Sequence, residues 1–153
     1  MATLKRTHIL SSDSGSQIVE AALVLPLLLL VLLGILDFGL LFRRYEAVTN
    51  AAREGARVAI LPGYTAADVQ NRVQQYLTDA GLLDAPTTTV LAPAGVDVGG
   101  GTCITMTGAT VSYPHEYFLV GGIMTYFGDP GLATTALVAT ARMRYEGGAV
   151  SCP

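Results

Sequence analysis

The chain has 153 residues, a formal net charge of −3, 51% apolar residues and only 14% charged ones. That length allows one modest domain plus an appendage, and the composition is too oily for an ordinary soluble domain. A single lysine and no basic block exclude a nucleic acid as the expected partner.

Residues 1–15, MATLKRTHILSSDSG, are polar and carry Lys5, Arg6 and His8. An ordinary secretory signal has a 7–15-residue apolar core followed by a small-x-small cleavage site. Here the apolar run is longer and no such site follows it. The change of character comes earlier, between Gly15 and Ser16. A cut there would remove the charged leader and keep the apolar helix.

Residues 21–42 contain sixteen Leu, Ile, Val and Phe. As a helix they span roughly 33 Å, against a hydrocarbon core of roughly 30 Å. Their transfer is worth about −8 kcal/mol, while a central Asp costs about +3 kcal/mol and Asp37 lies toward one end. Insertion wins, and one transmembrane helix is expected. Pro26 favours a bend that membrane helices tolerate. Glu20 at the edge of the run needs a counter-ion, or must reach back to headgroup water. Asp37 either pairs with Arg43 or Arg44 near the helix end, or meets a neighbouring helix and sets register.

The helix continues through residues 45–61. Val48, Ala51, Ala52, Gly55 and Ala59 line one stripe, with Asn50, Arg53, Glu54 and Arg57 opposite. Small residues on that stripe let another element approach closely. Pro62-Gly63 ends the helix. Thr65, with Asp68 three residues on, caps a second helix whose apolar face is Val69, Val73, Tyr76, Leu77 and Ala80, closed by Gly81.

Beyond Pro86 the pattern turns to β. A short strand is expected at 87–92 and a glycine-rich hairpin turn at 95–102, which lacks the spacing of a phosphate loop. In CITMTGATVSY, 103–113, Ile104 and Met106 alternate, then Val111 and Tyr113. That change of phase at Gly108 predicts a bulge. Residues 114–130 read as a loop or short apolar helix, with His115 on a surface loop. The last strand covers 132–146, with Leu137, Ala139, Ala141 and Met143 on one face. The fold class is therefore α+β: a long N-terminal helix, transmembrane then amphipathic, a second helix and a small antiparallel sheet. If this portion lies outside the cytoplasm, a single Cys103–Cys152 disulfide is the natural reading, with two unpaired cysteines as the alternative. No residue pattern points to catalysis, a metal or a cofactor.

Gly15 followed by Glu20 resembles the class III type IV prepilin leader. In that family a membrane prepilin peptidase cuts after the glycine on the cytoplasmic face, and glutamate is fifth in the mature chain. Counting from Ser16, Glu20 is fifth. The resemblance implies that Glu20 pairs with the new α-amino group, on a neighbouring subunit, and sets axial register.

VEAALVLPLLLLVLLGILDFG, AAREGAR, VSYP and ATARMRYE together resemble the TadE family, small pilin-like proteins of the tight adherence (Flp-type) pilus. The resemblance runs from Gly15 to Glu146. It implies a pilin-like fold and a single-pass protein of the bacterial inner membrane, with its N-terminus in the cytoplasm. Domains follow as a leader at 1–15, the helix at 16–61 and an extracytoplasmic α+β domain at 62–153. The implied partners are the prepilin peptidase, other pilin-like subunits, the assembly platform and inner-membrane lipid; the implied role is pilus priming or assembly for adhesion. Ala21 after the glutamate and Leu40 after DFG depart from the family's pattern.

Positive charge argues otherwise on orientation. Lys5 and Arg6 flank one end of the span, and Arg43, Arg44, Arg53 and Arg57 the other, which favours the reverse arrangement. A second reading is a membrane-anchored extracytoplasmic binding module that is never processed.

Overall fold

The structure, a computed structural model, describes residues 13–100, 102–118, 120–126 and 133–147. Most of the expected leader and Cys152 lie outside the described residues. The architecture is α+β: α1 (Asp13–Ala59), α2 (Ala66–Asp79), β1 (Thr87–Asp97), β2 (Cys103–Glu116), α3 (Val120–Tyr126) and β3 (Thr134–Arg144).

At 47 residues, α1 is roughly 70 Å long. Pro26 lies inside it without ending it. Its two halves have different surroundings. Through Leu36 its side chains are mostly exposed, and Asp37 is the first buried one. The helix is long and apolar enough to cross a membrane, and its most apolar 18-residue window is not buried against the rest of the chain. That suggests a single-pass anchor: the large apolar side chains from Leu23 to Leu36 are mostly left for lipid or for other helices to cover.

The C-terminal half of α1 lies across one face of an antiparallel sheet of order β1-β2-β3, and α2 packs beside it. The small-residue stripe faces inward as expected. Val48, Ala51, Ala52 and Ala56 have no exposed surface. Gly55 is where three elements meet: a Cβ on it would lie 2.7 Å from Val73 of α2 and 3.1 Å from Ala109 of β2. Val73, Leu77 and Leu82 close the core on one side, and Val111, Tyr113, Leu137 and Ala139 on the other.

Thr65 and Asp68 form the capping box at the start of α2. Both the amide and the hydroxyl of Thr65 donate to Asp68 Oδ2 at 2.7 Å. These bonds, the backbone one first, hold the Asp68 carboxyl below its ordinary value of 3.8. At the other end Gly81 adopts φ +79. Leu82 N–H reaches the Leu77 carbonyl and Gly81 N–H the Thr78 carbonyl, the paired bonds of a Schellman motif.

β2 differs from expectation. Its inward face is Thr105, Thr107, Ala109, Val111, Tyr113 and His115, an unbroken alternation with no change of phase. The bulge lies in β1 instead, between Leu91 and Ala94. Ala92 and Pro93 there stand opposite Thr107, and proline suits such a site because it has no N–H to offer a ladder. The Leu91 carbonyl accepts a 2.5 Å bond from the Thr107 hydroxyl. A polar residue thus occupies an inward position and has its partner. Gly108 answers to a close approach: a Cβ on it would collide with the Ala141 carbonyl. β1 also runs on to Asp97, so residues 95–97, expected in the turn, belong to the strand.

Candidate functional site

Two sequence periodicities converge on one polar cluster. On α1, the stripe through Val48, Ala51 and Gly55 runs backward at alternating steps of three and four to Arg44, Leu41 and Asp37. On β2, the inward alternation through Val111 and Tyr113 runs forward to His115. The two meet at the end of the core where α1 becomes part of the domain. Asp37 and His115 are each 2% exposed. The surface-loop reading of His115 is therefore corrected: β2 extends three residues beyond the expected strand and carries the ring inside.

Arg44 Nη1 and His115 Nδ1 are 3.1 Å apart. Arginine has only donors and stays protonated, so Nδ1 accepts and the ring proton sits on Nε2. Burial lowers the pKa of His115 from 6.5, the Arg44 charge lowers it further, and the Asp37 charge opposes both. The ring is thus neutral. Tyr117 meets it edge-on, with centroids 5.0 Å apart at 81°. Nε2 is buried and has no hydrogen-bond partner among the described residues.

Beside this, the Tyr113 hydroxyl donates to Asp84 Oδ2 at 2.9 Å and accepts from the Asp84 amide at 3.3 Å. The bond fixes the loop after α2 to β2. Burial, then the bond to Asp84, pushes the phenol pKa above 10 and keeps the donor proton in place. Two clefts open around Arg44. One, of about 430 Å³, is lined by Asp84, Glu116, Tyr117 and Phe118 as well as Arg44. The other, of about 320 Å³, is lined by Leu40, Arg43, Arg44 and Leu82 among others.

This arrangement positions elements and offers little to a substrate. His115 spends one ring nitrogen on Arg44, and the other is shut away from solvent. Among the described residues no group of three or more His, Cys, Asp or Glu is placed to hold a metal ion. The cluster ties the free half of α1 to the sheet by a charged and hydrogen-bonded contact, which fixes orientation more sharply than apolar packing does.

The other sequence-derived residues stand apart. Gly15, Ser16 and Glu20 are exposed on the first turns of α1. Glu20 makes no hydrogen bond or ion pair among the described residues. Seventeen residues of helix, about 25 Å, separate it from Asp37. Cys103 opens β2, while Cys152 lies outside the described residues.

Residues 15–57 match the model of the family described as TadE-like protein, the family the sequence resembles. The match begins at Gly15, covers nearly all of α1 and stops before α2 and the sheet. No match is found among curated proteins or among solved structures.

Proposed function

We propose, from the match of residues 15–57 to TadE-like proteins, that the chain is a minor pilin-like subunit of a Tad-type pilus system. Residues 21–42 anchor it in the inner membrane, the leader faces the cytoplasm, and the domain at 62–153 stands outside it. A prepilin peptidase cuts after Gly15, and the subunit then primes or joins pilus assembly for adhesion. Its partners are that peptidase, other pilin-like subunits, the assembly platform and membrane lipid.

The observation that carries this reading is the match of residues 15–57, which begins at the glycine proposed for cleavage; Glu20 is the fifth residue after that glycine. Local geometry supports it. The Gly15–Ser16 bond lies in the exposed first turn of α1, where unwinding a helix end costs least. Glu20 has no counter-ion among the described residues, which leaves its carboxylate open to one supplied from outside them. The amine exposed at Ser16, on the same chain or a neighbour, supplies it.

Asp37 has an internal use in this scheme. With Arg44 and His115 it sets how the domain sits on its own helix, and so the direction in which the domain projects from a helical bundle. Intact-mass and N-terminal mapping of the protein from its native membrane tests the proposal: a chain beginning at Ser16 is expected, and a working protein that still carries Met1–Gly15 overturns it.

A further inference from the structure

Most arginines of the domain are already engaged. Glu54 pairs with Arg57 at 3.3 Å and with Arg72 at 3.4 Å, Arg53 donates to Asn50, and Arg44 spends one guanidinium nitrogen on His115. Arg43 differs. It is exposed and makes no hydrogen bond or ion pair among the described residues. It stands one residue past the apolar span, beside Arg44, on the cleft of about 320 Å³.

We propose that this cleft binds the phosphate of a membrane phospholipid, held by Arg43 and Arg44 above an apolar wall of Leu40 and Leu82. Four observations carry it. First, no carboxylate lines this cleft, whereas Asp84 and Glu116 line the neighbouring one and exclude an anion there. Second, the guanidinium fork matches phosphate oxygens, and two arginines line this one cleft.

Third, the end of α2 at the cleft does not cancel them. A helix C-terminus carries about half a unit of negative charge, and its Tyr76, Leu77 and Thr78 carbonyls already accept bonds from Ala80, Leu82 and Gly81. Two full positive charges outweigh it. Fourth, depth agrees. Tyr45 is 46% exposed and Phe118 80% exposed; Tyr45 directly follows these arginines, and Phe118 lines the neighbouring cleft with Arg44. Exposed aromatics beside cations at the end of an apolar span are the composition of the headgroup layer. The inference rests on residues 21–42 crossing the bilayer, and it holds for either orientation.

The test uses the full-length protein reconstituted in nanodiscs of phosphatidylglycerol and phosphatidylcholine. Resistance to carbonate extraction is checked first, so that failure of anchoring is separated from failure of the site. Native mass spectrometry in neutral detergent then counts retained lipid. Phosphatidylglycerol is expected to stay bound, and Arg43→Gln to lower its occupancy about fivefold without changing thermal unfolding. Arg43→Lys should restore most of it. The chain has no tryptophan, so Phe118→Trp supplies a single reporter whose emission should be quenched by lipids brominated near the glycerol. Equal retention by wild type and Arg43→Gln overturns the proposal. So does displacement of the lipid by millimolar inorganic phosphate, which would mark a free-phosphate site, or a cross-link from position 43 to an acidic residue of a second copy in place of retained lipid.

Discussion

Arg44 of α1 and His115 of β2, 71 residues apart in sequence, are joined by a 3.1 Å hydrogen bond at the point where the long helix enters the core. The bond replaces water that a buried ring nitrogen can no longer reach. Arg44→Met keeps most of the apolar stem and removes the donor, leaving Nδ1 unsatisfied at a cost of about 1–3 kcal/mol. A double-mutant cycle with His115→Leu should show a coupling of about 1 kcal/mol in thermal unfolding of the domain. Purely additive losses would mean that the bond contributes nothing beyond packing.

The same ring makes stability depend on pH. His115 has a folded pKa below its ordinary 6.5, chiefly through burial and then through Arg44, with Asp37 opposing. Between the lowered value and 6.5 the unfolded chain binds more protons than the folded one, so stability rises with pH across that window. The contribution is complete above 6.5 and is lost as pH falls below it. The unfolding temperature of the wild type should therefore drop as pH is lowered through this range. His115→Gln, which keeps an acceptor for Arg44 without a titrating ring, should flatten the slope. Asp68 does not interfere: its carboxyl is held below 3.8, so its contribution is lost only in stronger acid.

Much of the scaffold was legible because it follows from local rules. Apolar run length predicts the long exposed helix, the small-residue stripe predicts the buried face of α1, and Thr65 with Asp68 and Gly81 predict both ends of α2. The polar cluster was not read, although each half of it obeys a period already visible. Asp37 and Arg44 continue the stripe of Val48 and Gly55, and His115 continues the alternation of Val111 and Tyr113. His115 reads as a surface loop and Asp37 as a partner of Arg43 or Arg44 or of a neighbouring helix, because burial of such groups within the domain depends on a partner distant in sequence. The bulge was assigned to β2 for a similar reason. Thr105 and Thr107 looked like outward residues until Leu91 of β1 supplied an acceptor for the Thr107 hydroxyl.

Gly55 and Gly108 are tight for different reasons, and the difference sets an order. A methyl on Gly55 presses on the ends of Val73 and Ala109 side chains, which shift at a cost of about 1–3 kcal/mol. Part of that is offset by the better helix propensity of alanine, about 1 kcal/mol. A methyl on Gly108 meets the Ala141 carbonyl, which cannot move without opening the β2–β3 ladder. Thermal unfolding of the two alanine variants should show a modest loss for Gly55→Ala and a larger one for Gly108→Ala. The reverse order would mean that the helix, not the sheet, is the unyielding side of this core.

The proposed Cys103–Cys152 bridge would tie the start of β2 to the chain's last residues. Such a closure is worth about 2–4 kcal/mol through the unfolded state. Thiol alkylation with and without prior reduction should reveal no accessible thiol in the native protein and two after reduction, and the reduced form should melt several degrees lower. Free thiols in protein taken directly from the membrane would remove the bridge from this account and weaken the case that the domain lies outside the cytoplasm.

Glu20 separates processing from assembly. The proposed cut between Gly15 and Ser16 requires an accessible backbone, which Glu20→Gln leaves untouched on the exposed first turns of α1. The mature Ser16 amine, however, would then face a neutral amide. An unpaired charge costs about 3 kcal/mol at the centre of a span and less toward its edge, so an ion pair at the edge of the hydrocarbon still gains more than its solvated equivalent. Glu20→Gln should therefore accumulate as a processed, membrane-bound protein whose co-purification with its sibling subunits falls about tenfold, the equivalent of about 1.4 kcal/mol. Processing is read by the mature N-terminus and assembly by the recovered partners. A processed Glu20→Gln protein that assembles at the wild-type level would show that the carboxylate is merely solvated at the interface, and register would then have to come from the packing of the apolar helices alone.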